Sequence, residues 1–559
     1  MESLMRTQAI VVGCSLLLRA APLFGQMSLD IEPLSARQAL EVLASGSEIV
    51  VPGIDLQAVH AEDHERGISG QLPLYGRVLP LDIRPDEAGQ WTTLANGDRV
   101  WRCVVRSMGA LAVELFYEDM VLPEGATLHV MDVEGGQVLG AFTSLNNKRS
   151  GLFATGQILG EACLIEYFEP RHGAGRGRFT ISGVGHAYEL PALAKADFCQ
   201  VDVNCSEGAD WQDQRDGVVR ISVKQGFQLG WCTGSLVNNT AEDCAPYILT
   251  AFHCGLNSTT ADLAQYKFYF NYQRTNCGTG LASASQLLTG CMKRADSNDD
   301  GGNAGGSDFM LLEMNDDPPA AYAPYWNGWE ANGAVSGSGV CIHHPSGDEK
   351  KISTYTSQLI TSALYWGGPQ AFWRVVWSAT DNGHGVTEGG SSGSPLFNSA
   401  KRIVGTLTGG TSCCTVNGCN IPGSGPTTPD YYGKVSYHWA NNPNPPTEKL
   451  KEWLDPLDLG VTGMNGSYAP CSGNGIAEQG SELIGVRPVP ASDRVYVSET
   501  LTCDRVLVLD PTGRLVSEHR SRNIVQDGID VMHLPVGPYL LRFLTGNEVQ
   551  AHARLLVVR

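Results

Sequence analysis

Short apolar runs broken by Gly, Asn, Asp and Ser recur along most of this chain and predict a protein built of β-strands. Before residue 200 the alternation is plainest in Val100-Trp101-Arg102-Cys103-Val104-Val105, in Ala110-Leu111-Ala112-Val113-Glu114-Leu115-Phe116-Tyr117 and in Ala162-Cys163-Leu164-Ile165-Glu166-Tyr167-Phe168. Period-two runs put alternate side chains on opposite faces of a sheet, so this region predicts a β-sandwich. Cys103 and Cys163 sit inside two of its runs and are candidates for a bridge. Further on, Tyr247-Ile248-Leu249-Thr250-Ala251-Phe252 predicts a strand that ends at His253, and Phe309-Met310-Leu311-Leu312 predicts one that opens at Asp308. Helical spacing of apolar residues stands out in Leu450, Trp453 and Leu454 of segment 448–454, which predicts a helix packed on the preceding strands. The last strands predicted are 494–497, 505–509, 538–543 and 554–559.

The breaks between these runs divide the 559 residues. Arg6, then an apolar run over 9–18, then small and polar residues to Gln26, predict a secretory signal at 1–26. Its apolar core is shorter than the roughly 18–20 residues needed to span a membrane. Residues 27–195 form the accessory region, 196–463 a cysteine-dense region, 464–484 a Gly, Ser and Asn-rich linker, and 485–559 a small β unit. The chain has 16 cysteines, 12 of them between 199 and 471, and in an exported protein they predict disulfides. Paired CxxC motifs for zinc are absent. The stretch Asp296-Ser297-Asn298-Asp299-Asp300-Gly301 opens like a calcium loop, but Ser307 stands where the bidentate Glu belongs, so neither metal nor cofactor is expected. A net charge of -20 without a basic stripe argues against a nucleic-acid partner.

Candidate chemistry gathers in Val386-Thr387-Glu388-Gly389-Gly390-Ser391-Ser392-Gly393-Ser394-Pro395. A tight turn of small residues exposes one hydroxyl, Ser392, with the Gly390 and Ser392 N–H groups directed at a developing oxyanion. His253, beside the bracing Cys254, supplies a general base, and Asp308 supplies the acid that orients an imidazole. Together they predict acyl transfer. A Gly-x-Ser-x-Gly elbow and a His placed last, which an α/β-hydrolase esterase needs, are both missing. The alternative reading is a protease fold that lost its activity and serves as a surface adhesin.

Residues 199–460 resemble the bacterial lysyl endopeptidases, trypsin-like serine proteases. The resemblance rests on Cys232-Thr233-Gly234-Ser235-Leu236, Leu249-Thr250-Ala251-Phe252-His253-Cys254-Gly255, Ser307-Asp308-Phe309, Ile342-His343-His344-Pro345, the 390–395 turn and Asp430-Tyr431-Tyr432-Gly433. It implies an all-β fold: a chymotrypsin-like double β-barrel, here preceded by a β-sandwich-like prodomain. It assigns His253, Asp308 and Ser392 as the triad, Asp430 as the anion at the base of the S1 pocket and Trp366 as a pocket wall. Where lysyl enzymes carry a histidine beside that tryptophan, this chain has Thr408, so Arg is expected to be accepted with Lys. The resemblance also implies disulfides Cys199–Cys414, Cys205–Cys277 and Cys232–Cys254. Residues 485–559 resemble the C-terminal sorting domain of Bacteroidota type IX secretion cargo, a small β-sandwich, on Pro490-Ala491-Ser492-Asp493, Asp510-Pro511-Thr512-Gly513 and Leu534-Pro535-Val536-Gly537. That implies export by the type IX machinery, to the medium or the cell surface.

The expected product is a secreted, monomeric endopeptidase that cuts peptides after basic residues, with activity rising as His253 deprotonates near neutrality. In animal trypsins a new amino terminus pairs with an Asp just before the nucleophile; here that position is the uncharged Ser391. Residues 27–195 are instead expected to assist folding and block the cleft until the chain cuts itself at Lys195.

Overall fold

A computed structural model describes residue 29 and residues 31–558 except 69–71, 191–195, 299–304, 363–367, 416–422, 473–481, 484–485, 488–490, 498–502, 510–513, 521–527 and 546–547. The signal segment 1–26, Lys195, Trp366 and Cys419 therefore lie outside the described residues.

The catalytic region is a double β-barrel. In the first barrel, Val218–Gln225 and Gln228–Leu236 form a hairpin in register from Val218 opposite Ser235 to Gln225 opposite Gln228. Lys267–Tyr269 and Leu287–Thr289 continue the sheet on one side; Tyr247–Thr250, Met310–Met314 and Cys291–Asp296 continue it on the other. Val219, Ile221 and Val223 point into the core and are fully buried. The alternate residues, Arg220 and Ser222, are buried as well, because further chain covers the outer face. Arg220 donates to the Gly347 carbonyl, and its guanidinium lies over the rings of Trp231, Tyr269 and Tyr272 at 4.3, 4.4 and 3.6 Å.

The second barrel runs Val201–Asp202, Lys351–Tyr355, Gly339–His343, Pro395–Asn398, Ile403–Gly410, Asp430–Lys434, Phe372–Val375 and Ile360–Ser362 in spatial order. The predicted helix is the short Leu450–Leu454, whose two leucines are fully buried in the core that also holds Trp329, Phe397 and Ile403. Chain contacts continue past the predicted end at 463: Trp326 and Ser467 exchange backbone hydrogen bonds, and Cys471 is bridged to Cys244. The segment 464–471, predicted as linker, is thus part of the catalytic unit.

The accessory region has two facing sheets, as predicted. One comprises Glu48–Val51, Arg99–Ser107, Ala162–Glu169, Thr127–Met131 and Val138–Phe142, with Gln90–Thr93 beside Arg99–Ser107. The other contains Leu74–Ile83, Arg178–Ala187, Ala112–Val121 and Phe153–Ala154. Trp101 and Tyr167 of the first meet Phe179 of the second edge-to-face, with centroids 5.7 and 5.3 Å apart. Cys103 and Cys163 are buried free thiols, so the expected bridge is not made. Register is the reason: Cys103 faces Ile165 and Cys163 faces Val105, which sets the two thiols two residues apart along neighbouring strands.

The second accessory sheet does not end at the accessory region. Leu74–Ile83 pairs with Gln228–Leu236 of the first barrel, Gln228 opposite Arg77 and Leu229 opposite Gly76, giving one 12-stranded sheet. A single hydrophobic core accordingly includes Leu72, Leu115 and Val184 with Ile221, Leu229 and Phe268.

The C-terminal unit, from Ser472, has a five-stranded sheet in which Arg505–Leu509 and Gly537–Thr545 are central neighbours, and a three-stranded sheet containing Arg494–Val497. Val495, Val506, Leu541, Phe543, Ala553 and Leu555 form its core.

Candidate active site

Two neighbouring strands deliver the imidazole and its acid. Tyr247–Thr250 ends in the turn Phe252–Cys254 that carries His253, and the Cys232–Cys254 disulfide holds this turn against the adjacent strand. Met310–Met314 pairs with Tyr247–Thr250, Thr250 opposite Met310, so Asp308 leaves the same end of the ladder as His253. Asp308 adopts φ +57°, a left-handed conformation that non-glycine residues seldom take, and is fully buried. Its Oδ1 accepts the His253 backbone N–H at 2.9 Å, and its Oδ2 lies 2.8 Å from His253 Nδ1. A proton held on Nδ1 leaves Nε2 as the basic nitrogen. The imidazole is 16% exposed, enough to meet a substrate while the carboxylate stays dry.

Ser392 comes from the second barrel, on the turn before Pro395–Asn398. Its carbonyl accepts the Thr233 N–H at 2.8 Å and lies 3.8 Å from the sulfur of Cys254, next to His253. Close approach of the barrels requires glycine at 393: φ is +80°, and a Cβ there would fall 2.1 Å from Thr250 Oγ1. Gly390 also has a left-handed φ, +89°, and its carbonyl accepts from Thr233 Oγ1 at 2.9 Å. Among the described residues, neither the Gly390 nor the Ser392 N–H donates to another protein group, so both are available to an incoming oxyanion. Ser391, between them, is buried with its Oγ 2.7 Å from His343 Nδ1, and burial pushes the His343 pKa down to about 3.

Asp430 is fully buried at the start of Asp430–Lys434. Its Oδ2 accepts from Ser412 Oγ at 2.5 Å, Trp377 Nε1 at 2.6 Å and Thr387 Oγ1 at 2.7 Å, and its Oδ1 from Ser412 N–H at 3.1 Å. Burial raises the Asp430 pKa and these donors pull it back only in part. Among the described residues no Lys, Arg or His forms an ion pair with it. Thr408 is 9% exposed with no partner on Oγ1 among the described residues, two residues before Gly410, which faces Asp430 across the ladder. Sequence reasoning missed Ser412 and Trp377. Ser412 could have been suspected beside Cys413 and Cys414, whereas nothing in the sequence marks Trp377.

The three disulfides implied by resemblance, Cys199–Cys414, Cys205–Cys277 and Cys232–Cys254, are all formed. Of the calcium-like stretch, Asp296 is buried and paired with Lys293 and Asn444, which spends its carboxylate within the protein.

Comparison with known proteins matches residues 193–433 to the lysyl endopeptidase C-terminal domain and residues 486–558 to the secretion system C-terminal sorting domain. The lysyl endopeptidase of Pseudomonas aeruginosa is 28% identical over 357 residues, 58% of this chain and 72% of that protein. The chain is a serine endopeptidase similar to lysyl endopeptidase over this region. The endopeptidase keeps His253, Asp308 and Ser392 intact, which leaves the reading as an inactive adhesin without a degenerate position to rest on. Solved structures similar to it include a Glu endopeptidase (17% identity, TM-score 0.27, 43% of this chain and 92% of that one). Another is the protease Anisep from Arthrobacter nicotinovorans (16%, 0.28, 39% and 90%). Its sorting domain marks the endopeptidase for type IX export, to the medium or the cell surface.

Proposed function

We propose that this endopeptidase cleaves after Lys and Arg through an acyl-enzyme on Ser392. The observation that carries this reading is Asp430, a wholly buried carboxylate with four donors and no cation paired to it among the described residues. A buried anion held in this way is costly unless a cation arrives, and a Lys or Arg side chain of the substrate supplies one. In the reaction His253 Nε2 takes the Ser392 proton as Oγ attacks the scissile carbonyl. The N–H groups of Gly390 and Ser392 hold the oxyanion, and His253 then protonates the leaving amine. Water, activated by the same nitrogen, releases the acyl group. Thr408, an uncharged residue whose buried hydroxyl has no partner among the described residues, supports acceptance of Arg beside Lys.

Residues 27–195 act first as a folding partner and then as an obstruction. The strand pairing of Leu74–Ile83 with the first barrel supports the former. Supporting the latter, Pro73 lies against Gly389, where an added Cβ would be 3.1 Å from its ring, and Tyr75 stacks on Trp231 at 4.2 Å. Cleavage at Lys195 then frees a monomeric enzyme that needs no metal or cofactor. Profiling mature enzyme on a peptide library tests the specificity. Cuts confined to Lys and Arg are expected; cuts spread over apolar or acidic residues would reject it.

A further inference from the structure

Ala196, the residue after the proposed cut, already touches the machinery around the oxyanion turn. Its N–H donates to Asp348 Oδ2 at 3.0 Å, and the next N–H, of Asp197, donates to Glu388 Oε1 at 3.1 Å. Gln200 holds the same Glu388 oxygen at 2.6 Å. Asp348 is 2% exposed, its Oδ1 has no hydrogen-bond donor among the described residues, and Lys351 Nζ, 3.9 Å from Oδ2, is committed to Asp202. Burial and a side-chain hydrogen bond shared with the neighbouring Glu349 carboxyl raise the Asp348 pKa to about 7.

Asp348 also ends the turn that braces the catalytic loop. Its own N–H bonds to Pro345 O, and within the turn Ser346 N–H donates to Gly389 O at 2.6 Å and Ser346 Oγ to Glu388 Oε2 at 3.1 Å. Gly390 packs so closely on this turn that a Cβ would lie 2.9 Å from Gly347 N and from His344 O. Arg220, held in its aromatic cage, grips the Gly347 carbonyl from the other side at 2.8 Å.

We propose that Asp348 is the receptor for the new amino terminus, so that cutting before Ala196 creates a half-buried ion pair that sets the Gly389–Gly390 backbone for catalysis. The inference rests on the cut after Lys195 suggested under the proposed function. Hydrolysis of that bond consumes one water and leaves a carboxylate on Lys195 and an amine on Ala196, which takes up a proton. The amide N–H that now meets Oδ2 becomes an ammonium with three donors, able to serve Oδ1 as well. The charge absent from Ser391 is thereby supplied from Asp348, on the opposite side of the loop. Asp348 is a positioning residue: it acts on the oxyanion donors through Ser346 and Gly389 and does not touch substrate.

The test uses full-length precursor in which residues 192–195 are replaced by the recognition sequence of an added protease. One version is cut to start at Ala196 and the other to start at one extra Gly before it. The extra residue is expected to lower kcat roughly tenfold or more with KM within about twofold. Asp348→Asn should lower kcat similarly in the Ala196 form and add nothing in the extended form, with thermal midpoints confirming that each is folded. Equal kcat for the two starts, or an additive loss in the double variant, overturns the role of Asp348. If the Ala196 form cuts neither Lys nor Arg peptides, the functional reading fails instead, so the two failures are told apart.

Discussion

Lys267 of the first barrel and Glu114 of the accessory region form an ion pair at 2.9 Å, each side chain only 1% exposed. Tyr75 donates to the other Glu114 oxygen and meets Ser222 Oγ at 2.7 Å, so the polar cluster spans both regions. Burial lowers the Lys267 pKa and Glu114 opposes it. Glu114→Ala strands an ammonium in the core and is expected to cost the precursor about 3–5 kcal/mol. Urea unfolding of the Ser392→Ala precursor checks this, and adding Lys267→Met should recover much of the loss. An unchanged midpoint would show that the cluster does not hold the regions together.

Asp430→Asn keeps the shape of the S1 base and removes its charge. Catalytic efficiency on Lys and Arg peptides is expected to fall by roughly three orders of magnitude, while esters with a small uncharged P1 group change only a few-fold. A uniform loss on every substrate would indicate collapse of the Ser412, Trp377 and Thr387 network rather than loss of a specificity charge.

Thr408→His restores the residue type that the lysyl enzymes carry at this position. The ratio of Lys to Arg cleavage, read from paired peptides differing only at P1, is expected to rise by about tenfold. No change in that ratio would remove Thr408 from the specificity account.

Two buried histidines predict acid sensitivity. Burial holds His343 and His438 at pKa values of about 3, against 6.5 for the free side chain. His438 Nδ1 lies 2.7 Å from Ser307 Oγ, next to Asp308. Between pH 6.5 and 3 the unfolded chain binds protons that the folded chain refuses, so stability falls with pH across that window and is fully present above it. Melting of the Ser392→Ala protein from pH 8 down to 4 should show a steady loss beginning near 6.5. A flat profile would mean these imidazoles are already charged when folded.

Much of this was legible in the sequence because it is local. Strands such as Arg494–Val497 and Arg505–Leu509 were predicted end for end, His253 and Asp308 sit where a predicted strand ends or begins, and Ser392 sits on the predicted small-residue turn. Long-range pairing was not legible. Leu74–Ile83 joins the catalytic barrel by edge pairing with Gln228–Leu236, and neither run advertises its neighbour. The same limit produced the Cys103–Cys163 expectation, which two residues of register undo, and hid Cys244–Cys471, whose halves lie 227 residues apart. Asp348 was invisible because its meaning comes only from what Ala196 touches.

The most direct measurement of the central claim is labelling of the mature enzyme with a fluorophosphonate, followed by mass spectrometry of its peptides. A single adduct on Ser392 is predicted, abolished by Ser392→Ala and slowed roughly a thousandfold or more by Asp308→Asn, which would leave the wrong imidazole tautomer. An adduct on another residue, or labelling that survives removal of the Ser392 hydroxyl, would contradict it.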